Sequence, residues 1–180
     1  METKEKILLV AFKLFVNNGY HNTSMQQLVN ASELSKGAFY HYFKSKNELY
    51  KQVINRYFLS FYLDINWSSY NKTELTTKEI EIEIQNFYLN FIPQILSVTQ
   101  NGLSEYYIMY FEAFSILPEF KITVQEFYRN LELLLIKAVD NIENPNKMAT
   151  TIIAKYEGIL FLLAINPSLE INALLNRITE

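Results

Sequence analysis

Apolar positions recur along this chain with a helical period almost throughout. Ile7, Ala11 and Phe15 stand four residues apart with Leu8 and Phe12 beside them, which predicts a helix over 3–18, stopped at Gly19. Met25, Leu28 and Val29 form the stripe of a brief second helix. Thr23 and Ser24 precede it and each has a glutamine three residues on, Gln26 and Gln27, so a capping box is available in either register. Asn30 to Leu34 reads as a turn, and Ser35 as the cap of a third helix through Phe43. At about 100° per residue, Phe39 and Phe43 share one face of it, Gly37 and His41 fall roughly opposite, and Ala38 and Tyr40 flank them. Ser45, with Glu48 three residues on, opens a fourth helix whose stripe of Leu49, Val53, Tyr57 and Phe61 runs to about Ile65.

Trp67 to Thr77 is polar and broken, a loop at a domain boundary. Four longer patterns and a terminal one follow. Residues 77–99 carry Ile80, Ile84, Phe87, Phe91 and Ile95, with a kink expected at Pro93 and a stop at Asn101-Gly102. Residues 103–117 carry Leu103, Tyr106, Tyr110 and Phe114 and stop at Pro118. Residues 119–142 carry Phe120, Val124, Phe127, Leu131 and Leu135, and residues 147–165 carry Ile152, Tyr156, Ile159, Leu160 and Leu163. Ser168 caps a last helix with Ile171, Leu174, Leu175 and Ile178. No strand or hairpin pattern is present. The expectation is all-α, about nine helices, with a helix-turn-helix unit over 1–46 and a larger helical part over 47–180.

Composition fits a folded chain: 49% hydrophobic residues with only 4 Gly and 4 Pro among 180 argue against disorder. The absence of cysteine excludes disulfides and thiolate metal sites. The start, Met1 to Lys6, has no signal-peptide pattern. The longest uninterrupted apolar run, Ile159 to Ile165, is far short of the about 20 residues a membrane helix needs, so a cytoplasmic protein without membrane contact is expected. The net charge of −3 counts against a nucleic-acid partner, but its distribution reverses that. Residues 1–56 hold 8 Lys+Arg against 4 Asp+Glu, whereas residues 57–180 hold 8 against 15. The basic part is the part with the two short helices.

Gly37, Ala38, Tyr40 and His41 make a narrow outward face that can approach another molecule closely, and Lys36 sets a positive charge beside free backbone N–H groups, which suits a phosphate. The physical reading is a helix-turn-helix whose second helix enters a DNA major groove. Leu34-Ser35-Lys36-Gly37-Ala38-Phe39-Tyr40-His41-Tyr42-Phe43 followed by Lys44-Ser45-Lys46-Asn47-Glu48-Leu49, with Gly19-Tyr20 and Thr23-Ser24 upstream, resembles the amino-terminal domain of TetR/AcrR-type transcriptional regulators. One departure is Ser32-Glu33 in the inter-helix turn, where that family usually has Ala-Gly; a non-glycine there calls for a strained backbone. The resemblance implies that Lys36, Gly37, Ala38, Tyr40 and His41 face the groove or its walls, and that Thr23, Ser24, Ser35, Tyr42 and Lys46 hold phosphates of a double-stranded operator.

It also implies a ligand pocket in the larger part and a homodimer. The aromatic crowd there supplies the expected lining, Phe87, Tyr88, Phe91, Tyr107, Tyr110, Phe111, Phe114 and Phe127, suited to a small, flat or apolar effector. Glu105 or Glu112 would pair a cationic one. Gly158 to Ile165 is apolar nearly all round, so it needs burial on two sides. The family's dimers pack their last two helices against their copies, which makes Ile152, Tyr156, Ile159, Leu160, Leu163, Leu174, Leu175 and Ile178 the expected interface and a palindromic operator the expected target. The implied function is a transcriptional regulator, a repressor released by its effector. A DNA-binding regulator controlled by a protein partner is an alternative. An all-α enzyme is a weaker one: both histidines, His21 and His41, lie in the first part, no Gly-rich phosphate loop occurs, and neither a metal nor a cofactor is expected.

Overall fold

The computed structural model describes residues 2–63, 70, 74–138 and 142–179, and these are helical with no strand among them. Helix α1 (Thr3–Asn18) buries Ile7, Leu8, Ala11, Phe12 and Phe15, the stripe that its sequence repeats. Gly19 ends it at φ 81°, in the left-handed region that favours glycine, and its N–H closes on the Phe15 carbonyl at 2.8 Å. Helices α2 (Met25–Ser32) and α3 (Lys36–Tyr42) pack on each other, and α1 on α2. Helix α4 (Lys46–Ile54) lies against α1, with Leu49, Tyr50, Val53 and Ile54 fully buried; the Tyr50 ring meets Phe15 edge-on at 5.0 Å.

The helix does not continue smoothly beyond Ile54. It widens into a π-turn (Asn55–Leu59) and then resumes as α5 (Ser60–Leu63). The wider turn accompanies a cross-over of burial: Tyr57 stacks on Phe12 of α1 at 4.4 Å, while its neighbour Phe58 stacks on Tyr106 at 4.9 Å. One turn of backbone thus serves both halves of the molecule.

The larger half is built from α6 (Thr77–Leu96), α7 (Leu103–Ile116), α8 (Pro118–Ile136), α9 (Pro145–Ile165) and α10 (Ile171–Thr179). A capping box between Thr76 and Glu79 opens α6, which runs through Pro93 and ends at Leu96, three residues before the expected end. Pro118 and Pro145 occupy the first positions of α8 and α9, where a missing N–H costs nothing. Helix α8 ends at Ile136 rather than 142. Ser168 does not cap α10: it donates to the Asn166 side chain inside a turn, and the helix begins at Ile171. Most of the loop expected over 67–77, the end of the fourth helix near Ile65 and the side chains of Phe61 and Ile178 lie outside the described residues.

Helix α9 packs on α7, α8 and α10. Its 21 residues and a mean hydropathy of 1.6 make it long and apolar enough to cross a membrane by length and composition. In the fold one face of it is buried against its neighbours, and it carries Lys155, paired with Glu81 of α6, and Glu157, which points among tyrosines.

Candidate nucleic-acid interface and internal cavity

The two short helices are shaped by their caps. The Ser24 hydroxyl accepts from the Gln27 N–H at 3.2 Å, and the Gln27 side chain accepts from the Ser24 N–H at 2.7 Å, so the second of the two possible boxes forms. Ser35 caps α3 by accepting from the Ala38 N–H at 3.2 Å. Between them, Glu33 sits at φ 59°, the left-handed conformation that glycine would take there, and its carboxylate pairs with Lys6 of α1 at 3.0 Å.

Within α3 only Phe39 is buried, and Phe43 follows it into the same core. Ser24, Ser35, Lys36, Gly37, Ala38, His41 and Tyr42 are exposed, and Tyr40 is half-buried. A Cβ built on Gly37 would meet nothing within 4 Å, so this face is open. Lys46 is half-buried: its ammonium donates to the Tyr20 carbonyl at 2.8 Å and lies 4.2 Å from the Tyr20 ring. Thr23 departs from expectation. It is 1% exposed and its hydroxyl donates to the Gly19 carbonyl at 2.8 Å, so its side chain braces the α1–α2 loop and does not reach a phosphate.

A cavity of about 340 Å³ opens between α6, α7, α8 and α9. Phe87, Tyr88, Phe91, Tyr107, Tyr110 and Phe127 line it, as the sequence suggested. Phe111 and Phe114 do not: Phe111 is 58% exposed on the outer face of α7, and Phe114 lies between Tyr110 and Phe120, at 4.8 and 5.4 Å. Tyr62, Tyr106, Tyr128, Tyr156, Leu160 and Glu157 are among the other residues of the wall, and Glu83, Asn86 and Asn90 of α6 add polar groups to it. Glu157 was not singled out by sequence, although it interrupts the apolar stripe of Ile153, Leu160 and Ala164, and that interruption is a readable signal. Both the Tyr88 and Tyr128 hydroxyls donate to Glu157 Oε1, at 2.7 and 2.6 Å. Burial foremost, and the Glu157 charge after it, push the Tyr88, Tyr107 and Tyr128 phenols up from their ordinary range. These phenols stay neutral donors at any physiological pH.

The two carboxylates expected to meet a cation have other partners. Glu105, 7% exposed, accepts from the Gln100 and Asn101 N–H groups at 2.7 and 3.1 Å and so ties down the start of α7. Glu112 accepts from the Tyr20 N–H at 2.7 Å and joins α7 to the α1–α2 loop. Neither lines the cavity.

The expected interface residues Ile152, Tyr156, Ile159, Leu160, Leu163 and Leu175 are buried inside the single chain, and Leu174 is half-buried; Tyr156 and Leu160 face the cavity. Helix α9 turns Ile152, Tyr156, Ile159, Leu160 and Leu163 toward the chain's own helices, and Leu175 of α10 is buried with them. The exposed apolar positions of α9 are Ala154, Phe161, Leu162 and Ile165, with Phe161 and Ile165 at 59% and 62%. Together with Gly158, whose Cβ position faces open space, they make a second stripe with helical spacing.

Residues 7–53 match the family model described as bacterial regulatory proteins, tetR family. The chain is similar to the HTH-type transcriptional regulator QacR of Staphylococcus aureus, 32% identical over 120 residues, which cover 64% of this chain and 60% of that protein. It therefore matches three fifths of that relative's length. In fold it is similar to a transcriptional regulator from Aquifex aeolicus, with a TM-score of 0.69, 25% identity and coverage of 98% and 95% of the two chains. The structure of AibR in complex with isovaleryl coenzyme A and operator DNA superposes with a TM-score of 0.70 at 17% identity, covering 98% and 96%.

Proposed function

We propose that the chain is a member of the TetR family of bacterial regulatory proteins, a homodimeric DNA-binding repressor released from a palindromic operator by a small ligand. The observation that carries this reading is the pairing of two features in one chain. An open, basic helix-turn-helix face lies at one end, and an aromatic cavity lies at the other, joined by α4 and its π-turn. Ser24, Ser35, Lys36, Gly37, Ala38, Tyr40, His41 and Tyr42 are the contact set, with Lys46 acting from behind through its charge. Most of them position the protein on phosphates and few read bases; Ala38 offers only an apolar contact, such as a thymine methyl. In this reading residues 1–46 are the DNA-binding unit and 47–180 the effector and dimer unit, and the packing of α4 on α1 joins them. That AibR holds an acyl thioester and operator DNA supports a ligand for the present cavity as well. A cytoplasmic location and a binding role, without catalysis, belong to the same reading.

The second stripe on α9 supports a two-fold partner, which would set two α3 helices in successive major grooves about 34–36 Å apart. A ligand that favours one spacing of the two heads then shifts the population away from DNA. The experiment is binding of the purified chain to the DNA flanking its own gene at several salt concentrations, followed by footprinting. A protected palindrome bound by a dimer is expected. Weak binding, equal on every sequence and lost at modest salt, would count against it.

A further inference from the structure

We propose that the cavity is built for a compact aromatic monocation, with Glu157 as its counter-charge; this rests on the reading of the cavity as the effector site. Three observations converge on it. Phenols aside, the only acidic or basic side chains among the described lining residues are carboxylates, Glu157 inside and Glu83 at the exposed mouth; none of the described lining residues is Lys, Arg or His. Glu157 has no cationic partner among the described residues. Its Oε1 takes the Tyr88 and Tyr128 hydroxyls, and its Oε2 has no donor among those residues. A half-buried carboxylate so placed is costly unless something else neutralises it.

The rest of the wall supplies what a cation finds attractive. The rings of Tyr107, Tyr110, Phe87, Phe91 and Phe127 surround the same space, and the negative faces of aromatic rings attract a cation most strongly where water is excluded. The phenols, held neutral by burial, add hydroxyl dipoles and no competing charge. An anion would meet two carboxylates and, among the described lining residues, no base. A neutral ligand with an N–H or O–H could reach Oε2 but would leave the charge of Glu157 standing. A volume of about 340 Å³ has room for a two-ring molecule.

The test uses the purified chain without DNA and three probes of one shape: N-methyl-para-phenylpyridinium, its neutral isostere para-methylbiphenyl, and biphenyl carboxylate. Calorimetric titration is expected to rank them cation, neutral, anion, with the cation at least about tenfold tighter than the neutral isostere. Glu157→Gln keeps an oxygen for both tyrosine hydroxyls, so the fold is retained, and thermal unfolding checks that. In this variant the cation loses its advantage and the neutral probe is unchanged. Equal affinity for cation and isostere, a preference for the anion, no saturable binding of the cation, or a cation preference that survives Glu157→Gln would each overturn the proposal. Operator binding measured in parallel separates it from the reading beneath it. If the neutral probe alone releases DNA, the cavity remains an effector site and the cation proposal fails. If the cation binds through Glu157 and DNA affinity does not change, the cation site stands and the effector reading fails.

Discussion

Glu33 holds the turn between the two short helices in a conformation that costs an ordinary residue roughly 1 kcal/mol or more relative to glycine. Its ion pair with Lys6 is exposed, and such pairs return little. Glu33→Gly is therefore expected to stabilise the chain by about 0.5–1 kcal/mol and raise Tm by about 2 °C, read by thermal unfolding. A lower Tm would mean that the ion pair outweighs the strain. Thr23 and Lys36 separate bracing from contact in the same way. Thr23→Val removes a buried hydrogen bond and should cost about 1 kcal/mol of stability with no change in the salt dependence of DNA binding. Lys36→Ala should leave stability unchanged, weaken binding on all sequences, and reduce the slope of log affinity against log salt by about 1. A reversed pattern would exchange the two roles. The caps Ser24 and Ser35 and the strained turn were legible in sequence because caps and turns are local chemistry, whereas Ser168, also expected to cap a helix, is held inside a turn by Asn166. The inward direction of Thr23 was not, because two adjacent hydroxyl residues can each cap α2 and only packing chooses between them.

At the scale of elements, α4, the π-turn and α7 connect the cavity to the helix-turn-helix unit. Tyr62 and Tyr106 line the cavity; Tyr106 stacks on Phe58 of the π-turn; Tyr57 beside it stacks on Phe12 of α1. In parallel, Glu112 of α7 accepts from the Tyr20 N–H, and Tyr50 of α4 donates to the Met109 carbonyl at 3.3 Å. Glu112→Ala leaves the Tyr20 N–H without that acceptor and is expected to cost about 1–3 kcal/mol of stability. The more telling readout is coupling. Ligand affinity measured without DNA should be unchanged, and the fold-loss of DNA affinity on adding ligand should shrink. If that fold-loss is undiminished, the signal runs through the π-turn alone. Helical period announced each of these helices, within a few residues at their ends. It could not announce the π-turn, which sits between two aromatic stacks on opposite sides, nor that Glu112 faces the first domain. Both are set by contacts between residues distant in sequence.

The whole molecule is legible as all-α with a small basic head and a larger acidic body, because charge and period are properties of the sequence. Which of the two apolar faces of α9 is inside is not, since period marks both alike. The buried face, Ile152, Tyr156, Ile159, Leu160 and Leu163, is used up by the chain's own core. The open face of Phe161, Leu162 and Ile165 is what a second copy would cover. Those two assignments predict opposite phenotypes for the same chemical change. Phe161→Glu alters a side chain that is 59% exposed, so helical content and Tm should stay near those of the parent, within about 0.5 kcal/mol of stability. If the face is a two-fold interface, the new carboxylates are brought together and desolvated, and light scattering should report a monomer with much weaker operator binding. Ile159→Glu, two residues away and 4% exposed, should instead unfold the chain, because it buries an unpaired charge in its core. A dimer that survives Phe161→Glu would move the interface off α9 and take with it the reason for two recognition helices at a fixed spacing.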